Sequence, residues 1–393
     1  MLEQARQIEQ QLISWRREIH QDPELGFQEY HTADRVSEAL TSLGYRVRKG
    51  VGKTGVVGEI GEGSPIVAVR ADMDALPILE ANDVPYVSRN PGIMHACGHD
   101  AHVAMALGAA TLLAKQNLPG TVRFLFQPSE EVGDEEGISG AVRMIEDGAM
   151  QGVDSIIALH VDPDIAAGEV TTAGGLVSAG VDTFYASILG KGGHGSEPQE
   201  TVDPIRIAGY IIMALNDIVS RRLDPIDPAV ISLGSIKGGS ASNVIPDRVE
   251  LTGTIRFLST EVQKKIHQEL HQALGISRAF NGDYELEFEI GYPPMFNDDR
   301  VAQLISEVAD DILGKGHNIP QRNNMGAEDF GFFLKYAPGA MFSHGCGLDG
   351  NTRVAHSPTF DIDERCLIYG AAILGESVLR LMRQPKLQCQ AES

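Results

Sequence analysis

Residues 65–74 read PIVAVRADMD, a run rich in β-branched residues that ends in acidic side chains. Two similar runs follow along the chain, TVRFLFQ at 121–127 and DSIIALHV at 154–161. Sequence typical of helices separates them: one stretch extends from the run HACGHD to about Lys115, and another covers 139–150. Because strands that alternate with helices usually form a parallel sheet, we expect an α/β domain with a mostly parallel central sheet flanked by helices.

The order of elements changes between residues 181 and 292. The residue pattern predicts two helices, over 203–222 and 260–280, and four strands, over 182–191, 228–238, 247–258 and 284–292. The resulting order β-α-β-β-α-β is the split βαβ, ferredoxin-like pattern, which forms a small domain by itself. Helix and strand patterns then alternate again after Tyr292. We therefore predict a discontinuous domain of residues 1–180 and 293–393, with an inserted α+β satellite domain at 181–292.

Composition limits the class of protein. The chain has 393 residues, of which 42% are hydrophobic and 22% charged, as expected of a soluble globular protein with two domains. Its formal net charge of −22 disfavours binding to nucleic acid or to anionic membranes. The N-terminus has no apolar signal-peptide core and no apolar run is long enough to span a membrane, so we expect a cytoplasmic protein. The cysteines are too few and too scattered for a disulfide framework; they are Cys97, Cys346, Cys366 and Cys389.

Polar side chains cluster where the predicted strands end. Asp72 and Asp74 follow the first strand, Glu130 and Glu131 follow the second, and His160 closes the third. In open α/β sheets, ligands bind just beyond the carboxyl ends of the strands. Each signal has an ordinary alternative: the glutamates could be acidic residues at a helix N-terminus, and the histidine could be a core residue. Their joint placement nevertheless favours one shared site.

The run HACGHDAH, residues 95–102, can reach the same edge of the sheet. Cys97 and His99 are typical ligands of zinc or a related borderline metal, and His356 adds a further imidazole from a C-terminal loop. A surface cluster or a thiol nucleophile are the alternatives, although His99 is too close in sequence to be a typical base for Cys97. His102 is better suited to a supporting role than to binding the metal. Beside a metal site, one glutamate of a pair can bind while its neighbour accepts a proton from water.

Nine motifs occur in a single order over roughly residues 16–363: ADMDALP, MHACGHDAH, FLFQPSEE, ALHV, GKGGHGSEP, NVIPD, GTIR, MGAEDF and AHSPTFD. Together they strongly resemble the M20 metallopeptidase family. Within it, the chain is most similar to the amidohydrolase branch. That branch includes hippurate hydrolases, auxin–amino acid conjugate hydrolases, N-acyl-amino acid deacylases and some carboxypeptidases.

The resemblance implies an enzyme with two divalent metal ions per subunit, which would be zinc, or manganese, cobalt or nickel. The ligands that it implies are Cys97, His99, Glu131, His160 and His356. Glu130 matches the general base, and Asp74 matches an aspartate that orients a ligand. Many other members have a histidine at the position of Asp72 and an aspartate near that of Cys97 as the metal bridge. In this chain Cys97 and His99 replace that arrangement, and the difference affects the geometry of the metal bridge and the preference for one metal over another.

The resemblance also assigns residues of the satellite domain. His194 matches a histidine that stabilises the oxyanion from the partner subunit of a homodimer, which could assemble further into a tetramer. Asn243 and Arg256 match groups that hold the substrate carboxylate, and Glu328 has no assigned role. The alternatives are an idle loop histidine for His194 and a surface ion pair for Arg256.

The function implied is metal-dependent hydrolysis of the amide bond of an N-acyl amino acid, a small molecule. One alternative is a metallo-carboxypeptidase or dipeptidase that cuts short peptides, since the same site serves both reactions. A further alternative is a non-catalytic metal-binding protein with the same fold. A carboxylate kept beside the ligands, as expected for Glu130, favours an enzyme.

Overall fold

The computed structural model describes residues 1–321, 325–348 and 353–384, so that Cys389 lies outside the described residues. The chain divides into two compact units, and each encloses its own hydrophobic core. The first unit comprises, as far as it is described, Met1–Gly175, Phe296–Arg322 and Asp329–Ser393, and the second comprises Leu176–Met295 and the described part of Asn323–Glu328.

Helices and strands follow one another in groups along the chain. The described α-helices are α1 (Leu2–Gln7), α2 (Glu9–His20), α3 (Tyr30–Ser42), α4 (His99–Leu113), α5 (Gly140–Glu146), α6 (Pro204–Asp217), α7 (Thr260–Leu274), α8 (Ile276–Ala279), α9 (Asp299–Leu313), α10 (Gly331–Leu334) and α11 (Cys366–Leu381). The described strands are β1 (Arg46–Val51), β2 (Gly55–Gly61), β3 (Ile66–Asp72), β4 (Thr121–Gln127), β5 (Ser155–Ala166), β6 (Val170–Thr171), β7 (Gly175–Ser178), β8 (Gly180–Leu189), β9 (Gly193–His194), β10 (Ala229–Gly238), β11 (Val244–Ile245), β12 (Arg248–Phe257), β13 (Asp283–Ile290), β14 (Met295–Asn297) and β15 (Gly339–Gly347).

A seven-stranded sheet forms the centre of the first unit, in the order β1-β2-β4-β3-β5-β15-β6. The four inner strands, β4, β3, β5 and β15, are parallel to one another. Strands β1, β2 and β6 toward the edges pair in an antiparallel manner. The predicted α/β fold class with a mostly parallel central sheet is therefore confirmed. Asp72 pairs with Gln127 at the last register position of β3 and β4, so both strands end at the same level.

Helix α4 runs through the interior of the first unit. All 15 of its residues are buried, and it packs against α2, α11 and β3. A helix that is covered on every side must be apolar around most of its circumference, and small residues let its neighbours approach closely. A Cβ on Gly108, for example, would lie 2.6 Å from Cδ2 of Leu12. The helix ends at Leu113, close to the predicted end near Lys115, and its packing holds His99 firmly in the first turn.

The second unit contains a four-stranded antiparallel sheet in the order β10-β12-β8-β13, with α6 and α7 packed on one face. This connectivity is the predicted ferredoxin-like arrangement. Asp203 caps α6 by accepting hydrogen bonds from two backbone amides of the first turn, and Pro204 occupies the first helical position. The second predicted helix is shorter than expected, because α7 ends at Leu274 and Gly275 separates it from the short α8.

Strand β1 is missing from the predicted elements because its sequence, RVRKGV, lacks an apolar run. Arg46, Arg48 and Lys49 are exposed, as is usual for an edge strand that has one face in water. Among the described residues, no helix has both the length and the apolar character needed to cross a bilayer.

Candidate metal centre

The predicted site residues of the first unit lie at one edge of the central sheet. Asp74 follows β3, and Glu130 and Glu131 follow β4. His160 lies inside β5 rather than at its end, because β5 continues to Ala166 beside β15. The predicted site residues of the first unit therefore lie beside the ends of β3 and β4.

Cys97 and His99 flank Gly98 at the start of α4. Gly98 has a φ of +93°, in the left-handed region that favours glycine. A Cβ at this position would also lie only 2.3 Å from Cγ2 of Val161, so the site has no room for a larger residue. Glycine thus permits the turn by which the side chains of Cys97 and His99 reach the same cluster.

His356 reaches this cluster from the loop between β15 and α11. Its backbone amide donates a hydrogen bond of 2.8 Å to the carbonyl oxygen of Ala96, the residue before Cys97. Its φ of +60° is uncommon for a residue other than glycine. The hydrogen bond ties a segment that is distant in sequence to the turn that carries Cys97.

The donor atoms of the predicted ligands and base form three overlapping groups, and within each group all atoms lie within 4.8 Å of one another. The groups are Cys97, His99 and His160; Cys97, Glu131 and His356; and His99, Glu130 and Glu131. The structure therefore brings together all five side chains predicted as metal ligands, together with Glu130. Their roles as ligands and as base stay predictions.

Two of the imidazoles present Nε2 to this cluster. Nδ1 of His99 lies 2.9 Å from the carbonyl oxygen of Asp74, and Nδ1 of His160 lies 2.8 Å from that of Val161. Because a carbonyl oxygen can only accept, each Nδ1 carries a proton, so Nε2 is the ring nitrogen that could bind a metal once it has no proton. Metal-binding histidines are typically oriented in this way.

Asp74 joins two of the predicted ligands. It is buried, and its Oδ2 accepts a hydrogen bond of 3.0 Å from the backbone amide of Glu131, while its Oδ1 lies 3.3 Å from Nδ1 of His99. Burial alone would raise the pKa of Asp74, but its contacts with His99 and with the backbone amides hold that pKa below its ordinary value. The resulting anion can orient His99 and Glu131 together.

The charges in the cluster favour a thiolate at Cys97. Burial alone would raise the pKa of the Cys97 thiol, but the neighbouring imidazoles of His160 and His99 lower that pKa to about 6. Contacts with Cys97 and Glu131 raise the pKa of His356 to about 10, and Nε2 of His356 lies 3.1 Å from Oε1 of Glu131. The thiolate is the form of cysteine that binds metals.

The pairing of His102 could not be read from the residue pattern. Nδ1 of His102 lies 2.5 Å from Oδ1 of Asp72, while its Nε2 accepts a hydrogen bond of 2.9 Å from the backbone amide of Val161. Both ring nitrogens therefore have partners, which favours a supporting role for His102 beside His160, and that role stays a prediction.

Asp72, the partner of His102, is a buried anion. Burial alone would raise its pKa, but the charge of Arg70 and the nearby imidazoles hold that pKa well below its ordinary value. Nη1 of Arg70 donates to Oδ2 of Asp72 at 2.6 Å. The sequence shows only that His99 and His102, three positions apart on a helix, share one face, and it does not identify Asp72 as the partner.

The remaining predicted residues belong to the second unit. His194 is exposed on β9, and its Nδ1 accepts a hydrogen bond of 3.1 Å from the backbone amide of Ser196. The carbonyl oxygen of Asn243 accepts a hydrogen bond of 2.8 Å from the backbone amide of Gly195, so His194 and Asn243 lie on adjacent segments. Glu328 is buried in the same unit.

Arg256 lies on β12 with its side chain partly buried. It has no ion pair with any described residue, and burial lowers the pKa of its guanidinium. A partly buried arginine without a carboxylate partner retains its donors for another anion. The ion pair considered as the ordinary alternative is not present within the described part of the chain.

The donor set of the first unit fits a divalent cation. It combines a thiolate, three imidazoles and two carboxylates, which is a mixture suited to zinc and to related borderline metals. Nε2 of His99 is buried and has no hydrogen-bond partner among the residues that the structure describes. Oδ2 of Asp72 lies 3.6 Å from this nitrogen, and coordination to a cation would give it the close polar contact that it lacks.

Comparisons with known proteins identify the family of the chain. The model of peptidase family M20/M25/M40 matches residues 68–380. N-acetyl-L-cysteine deacetylase of Bacillus subtilis is 41% identical over 380 residues, which cover 95% of this chain and 89% of that protein. Thermostable carboxypeptidase 2 of Saccharolobus solfataricus is 41% identical over 376 residues, which cover 93% and 94% of the two chains. A Bacillus subtilis structure, described as a dinuclear metal binding peptidase from the M20 family, matches with a TM-score of 0.83 and 32% identity, over 96% of this chain and 99% of that chain.

Proposed function

Because the chain belongs to peptidase family M20/M25/M40, we propose that it is a metal-dependent amidohydrolase that cleaves the amide bond of N-acyl amino acids. Its family makes it a hydrolase of the aminoacylase, amidohydrolase or carboxypeptidase type. The observation that carries the proposal is the position of Glu130, because a carboxylate oxygen of this residue lies within 4.8 Å of donor atoms of His99 and Glu131.

Two groups of residues would hold two divalent cations, which we expect to be zinc, or manganese, cobalt or nickel. His99 and His160 belong to one group, Glu131 and His356 belong to the other, and Cys97 is common to both. When bound, such cations would polarise an amide carbonyl and lower the pKa of a bound water molecule toward neutrality. The lowered pKa of the Cys97 thiol supports this assignment, since it keeps a thiolate donor at neutral pH.

Glu130 is the general base in this proposal. Its carboxylate takes a proton from the water whose oxygen attacks the amide carbon. It then gives that proton to the nitrogen as the C–N bond breaks, and a carboxylic acid and a free amino acid leave. Glu130 is 7% exposed, so little bulk water competes for the proton. Asp74 would keep His99 and Glu131 oriented during these steps.

Residues of the second unit would bind the rest of the substrate. We assign the stabilisation of the negative charge on the amide oxygen to His194 of the partner subunit, since an exposed imidazole is accessible to another chain. Asn243 and Arg256 would hold the substrate carboxylate. The guanidinium of Arg256, which is not paired with any described carboxylate, supports this role because it binds carboxylates through two parallel hydrogen bonds.

The assembly that we propose is a homodimer, which could pair further into a tetramer. Apolar side chains are exposed on α6 and on the edge strand β10: Ile205 is 49% exposed, Met213 68% and Ile236 56%. Apolar side chains that are exposed together on neighbouring elements are typical of an interface. Sedimentation should detect a dimer, and Met213→Glu should shift it toward monomer.

A carboxypeptidase or dipeptidase that acts on short peptides is the second candidate. The 41% identity to thermostable carboxypeptidase 2 favours it, and the same site could cut either kind of amide bond. A non-catalytic role is not favoured, because the relatives reported above are named as a deacetylase and a carboxypeptidase.

A substrate panel separates these candidates. Protein reconstituted with zinc, manganese or cobalt is assayed on N-acetyl and N-benzoyl amino acids and on dipeptides, with elemental analysis of the same samples. We expect kcat/KM to be at least about tenfold higher for the N-acyl amino acids. A preference for dipeptides would favour the second candidate, and no hydrolysis of either class would reject both.

A further inference from the structure

The segment QDPELGFQE, residues 21–29, joins α2 to α3. It contacts the two loops that follow β3 and β4 and carry Asp74 and Glu130. The carbonyl oxygen of Glu24 accepts a hydrogen bond of 2.8 Å from the backbone amide of Ala75, at the end of β3. Gly26 lies so close to the turn after β4 that a Cβ on it would be 2.3 Å from Oγ of Ser129. The function proposed above leaves this segment without a role.

Glu29 is fully buried at the end of the segment. Its Oε1 accepts hydrogen bonds from the backbone amides of Phe27 at 3.0 Å and of Ser129 at 2.8 Å, and its Oε2 accepts one from the hydroxyl of Thr54. Such donors offset the cost of removing a carboxylate from water. Glu29 therefore connects three segments that are far apart in sequence.

Ser129 needs to be held in place. Its φ of +46° lies in the left-handed region, which is strained for a residue other than glycine. Such a conformation persists only where its surroundings enforce it. Besides the bond to Glu29, Oγ of Ser129 donates to the carbonyl oxygen of Val132 at 2.7 Å. Because Ser129 immediately precedes Glu130, its backbone conformation sets the direction in which the Glu130 side chain leaves the chain.

We propose that Glu29 is a positioning residue, which holds the amide of Ser129 and thereby maintains the turn that directs Glu130 toward the substrate. The inference rests on the proposed function insofar as Glu130 is the base. The hydrogen bond between Glu29 and Ser129 does not depend on that function. Asp74 holds the same turn from its other end, through the backbone amide of Glu131.

Two substitutions of Glu29 separate the effect of its charge from the effect of its hydrogen bonds. Burial, and to a smaller extent the nearby charge of Asp74, raises the pKa of Glu29 to about 7, so an uncharged side chain is tolerable here. In Glu29→Gln, Oε1 can accept the same two backbone hydrogen bonds, and the amide nitrogen can donate to Thr54. Glu29→Ala removes all of these interactions. Glu29→Met removes them while it keeps most of the volume, and it replaces the alanine variant if that protein does not fold.

The first measurement is hydrogen exchange of the Ser129 amide in the metal-free, full-length protein. We expect exchange at least about tenfold faster in Glu29→Ala, or in Glu29→Met, and close to wild type in Glu29→Gln. Glu38→Gln is the matched control, because Glu38 is an exposed carboxylate on the adjoining helix α3. That control should leave the exchange unchanged.

The second measurement is the kinetics of the metal-reconstituted variants on N-acyl amino acids. Glu29→Ala should lower kcat by at least about tenfold, with KM and bound metal within about twofold of wild type, because only the base is displaced. Glu29→Gln should restore most of kcat.

Unchanged exchange at Ser129 in Glu29→Ala or Glu29→Met would overturn the inference, and so would faster exchange with unchanged kcat. A wild-type protein that hydrolyses no substrate of the panel is a failure of the proposed function instead. In that case the exchange measurement still decides whether Glu29 holds Ser129.

Discussion

Sγ of Cys97 lies 3.4 Å from Nε2 of His160, although 63 positions separate the two residues in sequence. Cys97 stands at the start of α4 and His160 inside β5, so packing of this helix against the sheet creates the pair. The thiol of Cys97, whose pKa is lowered by the neighbouring imidazoles, thus faces a ring nitrogen of His160. Both atoms can donate to one cation, and the pair is the simplest test of the metal site.

Replacing Cys97 with serine should weaken metal binding. A serine hydroxyl stays protonated at neutral pH and is a harder ligand than a thiolate. We expect the affinity for zinc to fall by at least about tenfold, measured by competition with a chelator and by elemental analysis. Cys366→Ala, which removes another buried thiol of the first unit, should bind zinc as the wild type does. Equal affinity in Cys97→Ser and wild type would exclude Cys97 as a ligand.

Glu130→Gln should abolish turnover while metal content stays close to that of the wild type. The amide of glutamine cannot accept the proton of the attacking water, and loss of a general base typically costs about 10²–10⁴ in kcat. Glu135→Gln, which alters an exposed carboxylate of the same acidic run, should leave kcat unchanged. Full activity of Glu130→Gln would rule out Glu130 as the base.

His102→Ala should reduce metal affinity although His102 has no nitrogen available for a metal. The substitution removes the acceptor for the amide of Val161 and the donor to Asp72, so His160 loses support. Loss of such a supporting contact typically weakens metal binding about 10–100-fold. His317→Ala, which changes an exposed histidine of the first unit, is the control. Calorimetric titration with zinc measures both, and equal affinities would contradict the supporting role.

Asp100→Asn should strongly destabilise the first unit. Oδ2 of Asp100 lies 2.8 Å from Nε of Arg16, and both side chains are fully buried. Arg16 keeps Asp361 at 2.9 Å, but its buried charge loses one of its carboxylate partners. Breaking a buried ion pair typically costs about 3–5 kcal/mol in the free energy of unfolding. Urea denaturation measures this cost. Glu3→Gln breaks an exposed pair with Arg6 and should cost less than about 1 kcal/mol.

The same pair predicts a dependence of stability on pH. Burial alone would raise the pKa of Asp100, but the charges of Arg16 and His20 hold it well below its ordinary value. A carboxylate with a depressed folded-state pKa stabilises the fold above its unfolded-state pKa of about 4, and this contribution declines as the pH falls below that value. The stability difference between wild type and Asp100→Asn should therefore shrink between about pH 5 and pH 2. A difference that grows on acidification would contradict this assignment.

Much of the fold could be predicted from local patterns. Apolar runs such as 121–127 form buried strands because continuous hydrophobicity requires cover on both faces, and this property is visible in any short window. The edge strand β1 could not be predicted in this way, because its charged side chains are accommodated by solvent and not by a core. Of the five predicted ligands only Glu131 follows a strand end, and packing of the first turn of α4, of β5 and of the loop before α11 brings the other four close to it.

The order and chemistry of the motifs in the sequence determined the family, the α/β architecture and the residue types available to a metal. Only the tertiary structure decided which ring nitrogen of His99 and of His160 faces the cluster, that His102 pairs with Asp72, and that Glu29 holds Ser129 across 100 positions of sequence. The physical reason is that such hydrogen bonds depend on distances and angles between loops that have no periodic pattern, and packing of the whole unit sets these distances and angles.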